Sequence, residues 1–300
     1  MWEVHQKFGS LPWDQLLAPA IKLAEDGFLV SPFMADALNE RYDKLSGYKN
    51  FKRIFYSDHP VQMHQRLKQE SLAKTLKTIS SKGVKGFYEG NVAEKIDNYM
   101  KKNGGLITKN DLKNYRPVWR DTLQGNYHDY EIVTMGPPSS GGIHIIQMLN
   151  ILEKHNLVAM GHNSPTYTAL LTESMKYAYA DRSEYLGDPG FFDVPVKNLI
   201  SKAYAKEINK RIELNSITPS DEILPGSAMP PESPDTTHFS VADNDGNVIS
   251  NTFTLNSGFG SGIVIDGTGV LMNNEMDDFV SAPGVPNQFD LIGGEANKIE

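Results

Sequence analysis

Five prolines, Pro219, Pro225, Pro230, Pro231 and Pro234, fall between Ser216 and Asp235. Proline lacks the N–H that a helix interior or a central strand needs, so this stretch reads as an extended, exposed connector. The chain on either side must then build its own structure. Upstream, the apolar spacing is helical. Leu17, Ala20, Ile21 and Ala24 recur at i, i+3, i+4 and i+7 ahead of Gly27, with Pro19 inside the pattern. Ile145, Met148, Leu149 and Leu152 repeat that spacing after Gly141-Gly142, as do Tyr167, Leu170, Leu171, Met175 and Ala178 after Ser164-Pro165, a cap followed by proline at the first helical position. Further helices are predicted at Val92 to Met100, Asp111 to Tyr115 and, with many charges, Ser201 to Asn215.

Downstream the pattern changes to strands. Thr237 to Asp243 alternates, Asp245-Gly246 is a two-residue hairpin signal, and Asn247 to Leu255 returns as a second strand rich in β-branched residues. Gly258, Gly260, Gly262, Gly267 and Gly269 then punctuate a loop and a short strand to Leu271. There is no internal repeat.

Composition removes several function classes. The 300 residues carry 29 Lys and Arg against 37 Asp and Glu, a net charge of −8, and no Lys/Arg cluster denser than the scattered Lys68 to Lys85 stretch. Such a surface repels a phosphate backbone, so no nucleic-acid partner is expected. The 39% apolar content is that of a globular chain. No apolar run approaches the roughly 20 residues of a membrane span. Met1 to Lys7 shows no basic region followed by an apolar stretch, so no secretory signal is expected in the chain as it stands. The absence of cysteine rules out a disulfide framework, a thiolate zinc site and a Cys nucleophile, and leaves the compartment open. The eight histidines include no HExxH or other ligand spacing, so no metal is expected.

Nucleophilic catalysis must then use Ser, Thr, Lys or a carboxylate. A threonine becomes reactive when scission makes it N-terminal, because its own α-amine, with a pKa of about 7.7 to 8.0, takes the hydroxyl proton. The connector ends at Asp235-Thr236-Thr237, where such a residue would be exposed. Thr237 and Ser240 compete with Thr236 for that role, and ordinary strand structure accounts for both of them. Thr252, Thr254 and Asn256 are spaced by two, which on a strand sets all three on one face; alternating Thr is equally ordinary β sequence. Glu275, Asp277 and Asp278 form an acidic group. An exposed acidic loop and an oxygen-ligand calcium site compete, although the spacing does not fit an EF-hand loop. Gly258 to Gly262 lacks the Lys-Ser/Thr of a phosphate loop and reads as a turn. Alternation turns His238 to the face opposite Thr237.

Taken in order, several motifs resemble the gamma-glutamyltranspeptidases. They are Leu16 to Gly27, Gly86-Phe87-Tyr88, Gly104 to Ile107, Gly136 to Gly142, Tyr177 to Pro189, Pro231 to Val241, Asp245-Gly246-Asn247, Thr252 to Asn256, Phe259 to Gly262 and Asn273 to Phe279. The resemblance covers essentially the whole chain. It implies an α+β fold, the four-layer αββα sandwich of the N-terminal nucleophile hydrolases, with residues 1–235 as a mostly helical large-subunit region and 236–300 as the start of the small subunit. It also implies autocleavage between Asp235 and Thr236, with Thr236 as nucleophile and Thr254 bonded to its hydroxyl. Asn256, Glu275 and Asp278 would hold the donor's α-ammonium.

The implied reaction is γ-glutamyl transfer or hydrolysis, from glutathione and related amides to water, amino acids or peptides, without a cofactor. A poly-γ-glutamate depolymerase or acylase is the enzymatic alternative, and an unprocessed homologue acting as a binding protein the non-enzymatic one. The partners expected are the two subunits of one precursor, and the location periplasmic or extracellular. The family's N-terminal arginine, its paired serines and its Gly-Gly oxyanion donors find no match here, so the chain reads as an internal fragment of such a protein. Pro283 to Phe289 resembles the loop covering the pocket in bacterial members, with Phe289 where a hydroxylated aromatic can bond the residue matched by Asn256.

Overall fold

The computed structural model describes residues 1–57, 60–214, 216–223, 236–290 and 292–299. The chain forms two compact units, Met1–Val118 with Asp235–Asn274 and Trp119–Pro234 with Glu275–Glu300, so each draws on both sides of the connector.

In the first unit, the helix Trp13–Asp26 runs through Pro19 and stops at Gly27, whose φ of 79° lies where only glycine is unstrained. It packs on the helix Glu70–Lys82. The expected helix around Val92 is Gly90–Asn103, ended by left-handed Gly104. The next is Lys109–Asn114, held by a reciprocal cap in which Thr108 Oγ1 accepts from Asp111 N while the Asp111 carboxylate accepts from Thr108 N. One core joins Leu38, Phe51, Phe55 and Val61 to Val264, with the rings of Phe51 and Phe259 edge to face at 5.6 Å. A second joins Val92 and Ile96 to Ile265. Thr75 Oγ1 donates to Thr268 O at 2.8 Å inside this region. The glycine-punctuated segment is thereby locked among upstream helices.

The hairpin ahead of it is not buried. Strands Thr237–Ala242 and Val248–Phe253 pair antiparallel with nearly every residue exposed. Their connection is longer than the two-residue turn predicted at Asp245-Gly246. Asp243 N donates to Asn247 O, which leaves three residues in the loop, with Gly246 at φ 85° and its N–H on Asp243 O. The cause is Asp243, whose carboxylate accepts from Asp245 N, Asn247 N and Asn247 Nδ2.

In the second unit the helix Gly141–Leu152 is central. Ile143, Ile146 and Ile151 are fully buried, against the hairpin Leu123–Tyr127/Tyr130–Thr134 and the helices Pro165–Tyr185 and Lys202–Asn209. A Cβ on Gly142 would lie 1.9 Å from Met135 O, so the helix start admits only glycine. Ser164 caps the long helix, accepting from Tyr167 N at 3.1 Å with Pro165 next, as the sequence predicts. Two expectations are corrected. The charged helix ends at Asn209 rather than running to Asn215, with Asn209 Nδ2 turned back onto Ile151 O and Ala205 O. The connector opens exposed at Ser216 and Ile217, but it does not stay extended and exposed: Ser220–Glu222 is a 3-10 turn, and Ile223 is buried beside Ile151 and Tyr177. Residues 224–235 lie outside the described residues. No described helix is long and apolar enough to cross a membrane. Mixed helix and antiparallel strand agree with the expected α+β class.

Candidate active site

Thr236 is exposed and sits directly ahead of the first strand of the hairpin, while Asp235 lies outside the described residues. Thr237 opposes Phe253 and His238 opposes Thr252, so Thr236 and Thr254 are the residues next beyond the last pair of the ladder. His238 is on the face away from Thr237, as expected. Its Nδ1 is 2.7 Å from Thr252 Oγ1, and the Ser240 and Ser250 hydroxyls lie 3.0 Å apart beside it. Thr252 therefore belongs to a row of cross-strand polar pairs.

Spacing by two fails past that point, because strand structure stops at Phe253 and Asn256 takes the left-handed φ of 72°. Thr254 and Asn256 are brought together by a turn instead. Asn256 N donates to Thr254 Oγ1 at 2.9 Å. The Thr254 hydroxyl keeps one further lone pair and its own proton for another partner. Asn256 is buried, its side-chain Nδ2 donating to Asn274 O at 3.0 Å. Asn274 is the residue that composition and spacing did not single out. Its N–H donates to Leu255 O, its Oδ1 accepts from Ser257 N, and its Nδ2 donates to Ser257 Oγ. The turn carrying Thr254 and Asn256 thus depends on one side-chain amide. Asn274→Ala leaves the Ser257 amide without that acceptor and is expected to cost about 1–3 kcal/mol. The check is a lower urea midpoint with an unchanged slope; an unchanged midpoint contradicts it.

In the second unit, Glu275–Asp278 is a single 3-10 turn. Burial, then the neighbouring Asp278 charge, pushes the Glu275 carboxyl above its ordinary value. The Asp278 carboxyl is also pushed up, first by partial desolvation, with Arg182 opposing and Asp277 reinforcing the shift. Arg182, on the long helix, donates from Nε to Ser140 Oγ at 3.3 Å. His144, one turn further into the Ser140-started helix, is held neutral: burial, then the Arg182 charge, takes its pKa down to about 4. The turn thus sets two carboxyls with raised pKa values near one guanidinium, a setting in which an arriving ammonium can gain charge-assisted bonds and offset the repulsion between the acids. Asn297 Nδ2 donates to Asp278 O at 2.8 Å, and Asn287 Nδ2 to Asp277 O at 2.8 Å.

The remaining motifs resolve as structure. Gly260 N donates to Ser257 O and Gly262 N to Phe259 O, so the Gly258 to Gly262 run is a pair of turns; a Cβ on Gly260 would lie 2.3 Å from Met272 O. Gly136 to Gly142 leads into the central helix and supplies Ser140 to Arg182. Among the described residues no three His, Asp or Glu side chains are grouped to hold a metal.

Comparison with known proteins gives a consistent result. The gamma-glutamyltranspeptidase family profile matches residues 1–300. The glutathione hydrolase proenzyme of Escherichia coli (strain K12) is 48% identical over 295 residues, covering 98% of this chain and 51% of that protein. The acylase ACY 1 proenzyme of Pseudomonas sp. (strain SE83) is 41% identical over 283 residues, covering 94% of this chain and 50% of that protein. The crystal structure of Helicobacter pylori gamma-glutamyltranspeptidase superposes with a TM-score of 0.73 at 43% identity, covering 78% of this chain and 67% of that one. The chain spans about half the length of the curated relatives it matches.

Proposed function

The chain belongs to the gamma-glutamyltranspeptidase family, and from that premise we propose that the protein containing it transfers γ-glutamyl groups to water, amino acids or peptides through an acyl-enzyme on Thr236. The Thr236 hydroxyl first attacks the Asp235 carbonyl and expels the Thr236 nitrogen, so that the amide becomes an ester and the α-amine is freed; water then hydrolyses the ester, which separates the chains with Asp235 as a carboxylate and the Thr236 hydroxyl restored. The chain then consists of a large-subunit part ending at Asp235 and a small-subunit part beginning at Thr236. That amine takes the hydroxyl proton as Thr236 attacks the donor's γ-carbonyl and returns it to the departing amine. Water or an acceptor amine attacks the ester in the second half-reaction, with the same amine as base. Thr254 donates a hydrogen bond to the nucleophile, and Asn256, Glu275 and Asp278 bind the donor's α-ammonium. Glutathione and related γ-glutamyl amides are the donors, no cofactor is involved, and the location is periplasmic or extracellular.

The observation that supports this reading is that Thr236 and Thr254 are the residues next beyond the last pair of the hairpin, Thr237 with Phe253, and that the Thr254 hydroxyl accepts from the Asn256 N–H. A relative named as an acylase supports a second reading, amide hydrolysis of other acyl donors. Glu275 and Asp278 separate the two, since an ammonium site has no purpose for an N-acylated donor. The full-length gene product is expected to cleave a γ-glutamyl anilide and to yield, after rapid quench, a γ-glutamyl ester on the peptide that starts at Thr236. The same anilide with its α-amine acetylated is expected to be inert. Equal turnover of the blocked compound would move the assignment to the acylase reading.

A further inference from the structure

The loop at 284–290 is closed at its base, with Gly284 N on Gly293 O at 3.1 Å and a bridge between Pro286 and Ile292. Its tip does not hang free. Asn287 Nδ2 donates to Asp277 O at 2.8 Å, and Gln288 N lies 3.3 and 3.4 Å from the two Asp277 carboxylate oxygens. Asn287 Oδ1 in turn accepts from Phe289 N at 2.9 Å, and Asp290 N donates to Asn287 O at 3.0 Å, so the tip is a stiff turn organised on Asn287. Asp277 is the one acid of the group that the ammonium-binding assignment leaves unused. It lies between Glu275 and Asp278 on the same 3-10 turn.

From these contacts we infer that Asp277 is a positioning residue: its carboxylate and main-chain carbonyl hold the loop tip down over the acidic turn and so set how tightly a donor's α-amino end is enclosed. Phe289, half-buried within the tip, is fixed by the same turn through Asn287. Asp277 touches the loop rather than the substrate, so its loss acts through loop position. The charge on Asp277 strengthens the bond from Gln288 N, an effect that a neutral amide oxygen reproduces in part. The kinetic side of this inference rests on the donor-binding role proposed for Glu275 and Asp278; the loop-anchoring side does not.

The test uses the full-length gene product with Asp277→Ala, Asp277→Asn and, for an independent release of the tip, Asn287→Ala. Amide exchange at Gln288 and Phe289 is expected to quicken about tenfold in Asp277→Ala and less in Asp277→Asn, which keeps an acceptor. Chymotryptic cleavage after Phe289 is expected to follow the same order. With γ-glutamyl anilide as donor, KM is expected to rise several-fold in Asp277→Ala while kcat stays within about twofold, and Asn287→Ala to reproduce the rise. Unchanged exchange at Gln288 in a folded Asp277→Ala or Asn287→Ala protein overturns the anchoring. Faster exchange with KM unchanged on an active enzyme overturns the enclosing role. If the protein has no γ-glutamyl activity at all, the functional reading above fails while the exchange result still decides the anchor.

Discussion

Thr236→Ala in the full-length gene product is expected to lower γ-glutamyl turnover by at least about 10⁴-fold, the scale on which removal of a covalent nucleophile acts. Two separate chemistries are lost with the one hydroxyl. In the proposed mechanism it attacks Asp235 to free its own amine, and it accepts the acyl unit afterwards. Thr236→Ser keeps an oxygen nucleophile and an N-terminal amine, so it is expected to retain cleavage and measurable turnover. The pair matters because a mere structural need for threonine at the strand entry would penalise both variants alike. Thr236 is exposed and precedes the first strand, so truncating it removes little packing, and the variant should fold. Steady-state release of the anilide amine measures the effect. A Thr236→Ala protein with turnover within tenfold of the parent would refute the assignment.

The second large effect is expected at the acidic turn. Asp278→Ala should reduce kcat/KM for a γ-glutamyl donor by roughly 10² to 10³, the cost of leaving a bound ammonium without its carboxylate, and most of the loss should appear in KM. Its pH dependence has a definite sign. The Glu275 carboxyl is pushed up by desolvation and the Asp278 charge, and the Asp278 carboxyl by desolvation and, against Arg182, the Asp277 charge, so both protonate at higher pH than an ordinary carboxyl as acid is added. The proposed donor binding needs them ionised; it is therefore expected to be complete above the raised values and to be lost as pH falls through them. In the free protein the linkage runs the other way. A carboxyl whose folded pKa is raised disfavours the fold once it ionises, so stability declines as pH rises from the unfolded value through the folded one. Asp278→Asn is accordingly expected to leave the fold no less stable at neutral pH while weakening donor binding. A profile of kcat/KM whose acidic limb stays in the ordinary carboxylate range in the parent, or does not change in Asp278→Asn, contradicts this account.

Helices whose caps and apolar spacing agree are legible from sequence. Ser164-Pro165 and the spacing from Tyr167 specify the start of the long helix because the cap and the buried stripe act within a few residues of one another. The hairpin Leu123–Tyr127/Tyr130–Thr134 is not legible in the same way. Its inner side includes Gly125, which has no side chain to signal a strand, yet a Cβ there would lie 2.8 Å from Ile146 Cγ2, so the reason for the residue is a helix distant in sequence. At the site, period-two reasoning reaches Thr252 and no further. The Thr254 and Asn256 geometry is set by a left-handed residue and by Asn274, 18 residues on from Asn256. A polar side chain that serves backbone groups leaves no periodic trace; the paired Asn273-Asn274 ahead of the acidic group was the available signal. The Asp277 contacts are likewise non-local, joining a turn to a loop tip that composition describes only as proline- and glycine-bearing chain. Family resemblance supplied the roles; local physics supplied the elements on which they sit.

The central claim is that one peptide bond is broken so that Thr236 gains a free amine. Intact-mass measurement and N-terminal sequencing of the purified full-length gene product, beside its Thr236→Ala variant, test it without any assay of turnover. The account predicts two polypeptides in the parent, the smaller beginning Thr236-Thr237-His238, and a single uncut polypeptide in the variant. A parent that remains in one piece while active on γ-glutamyl donors, or a cut at any other bond, would contradict it.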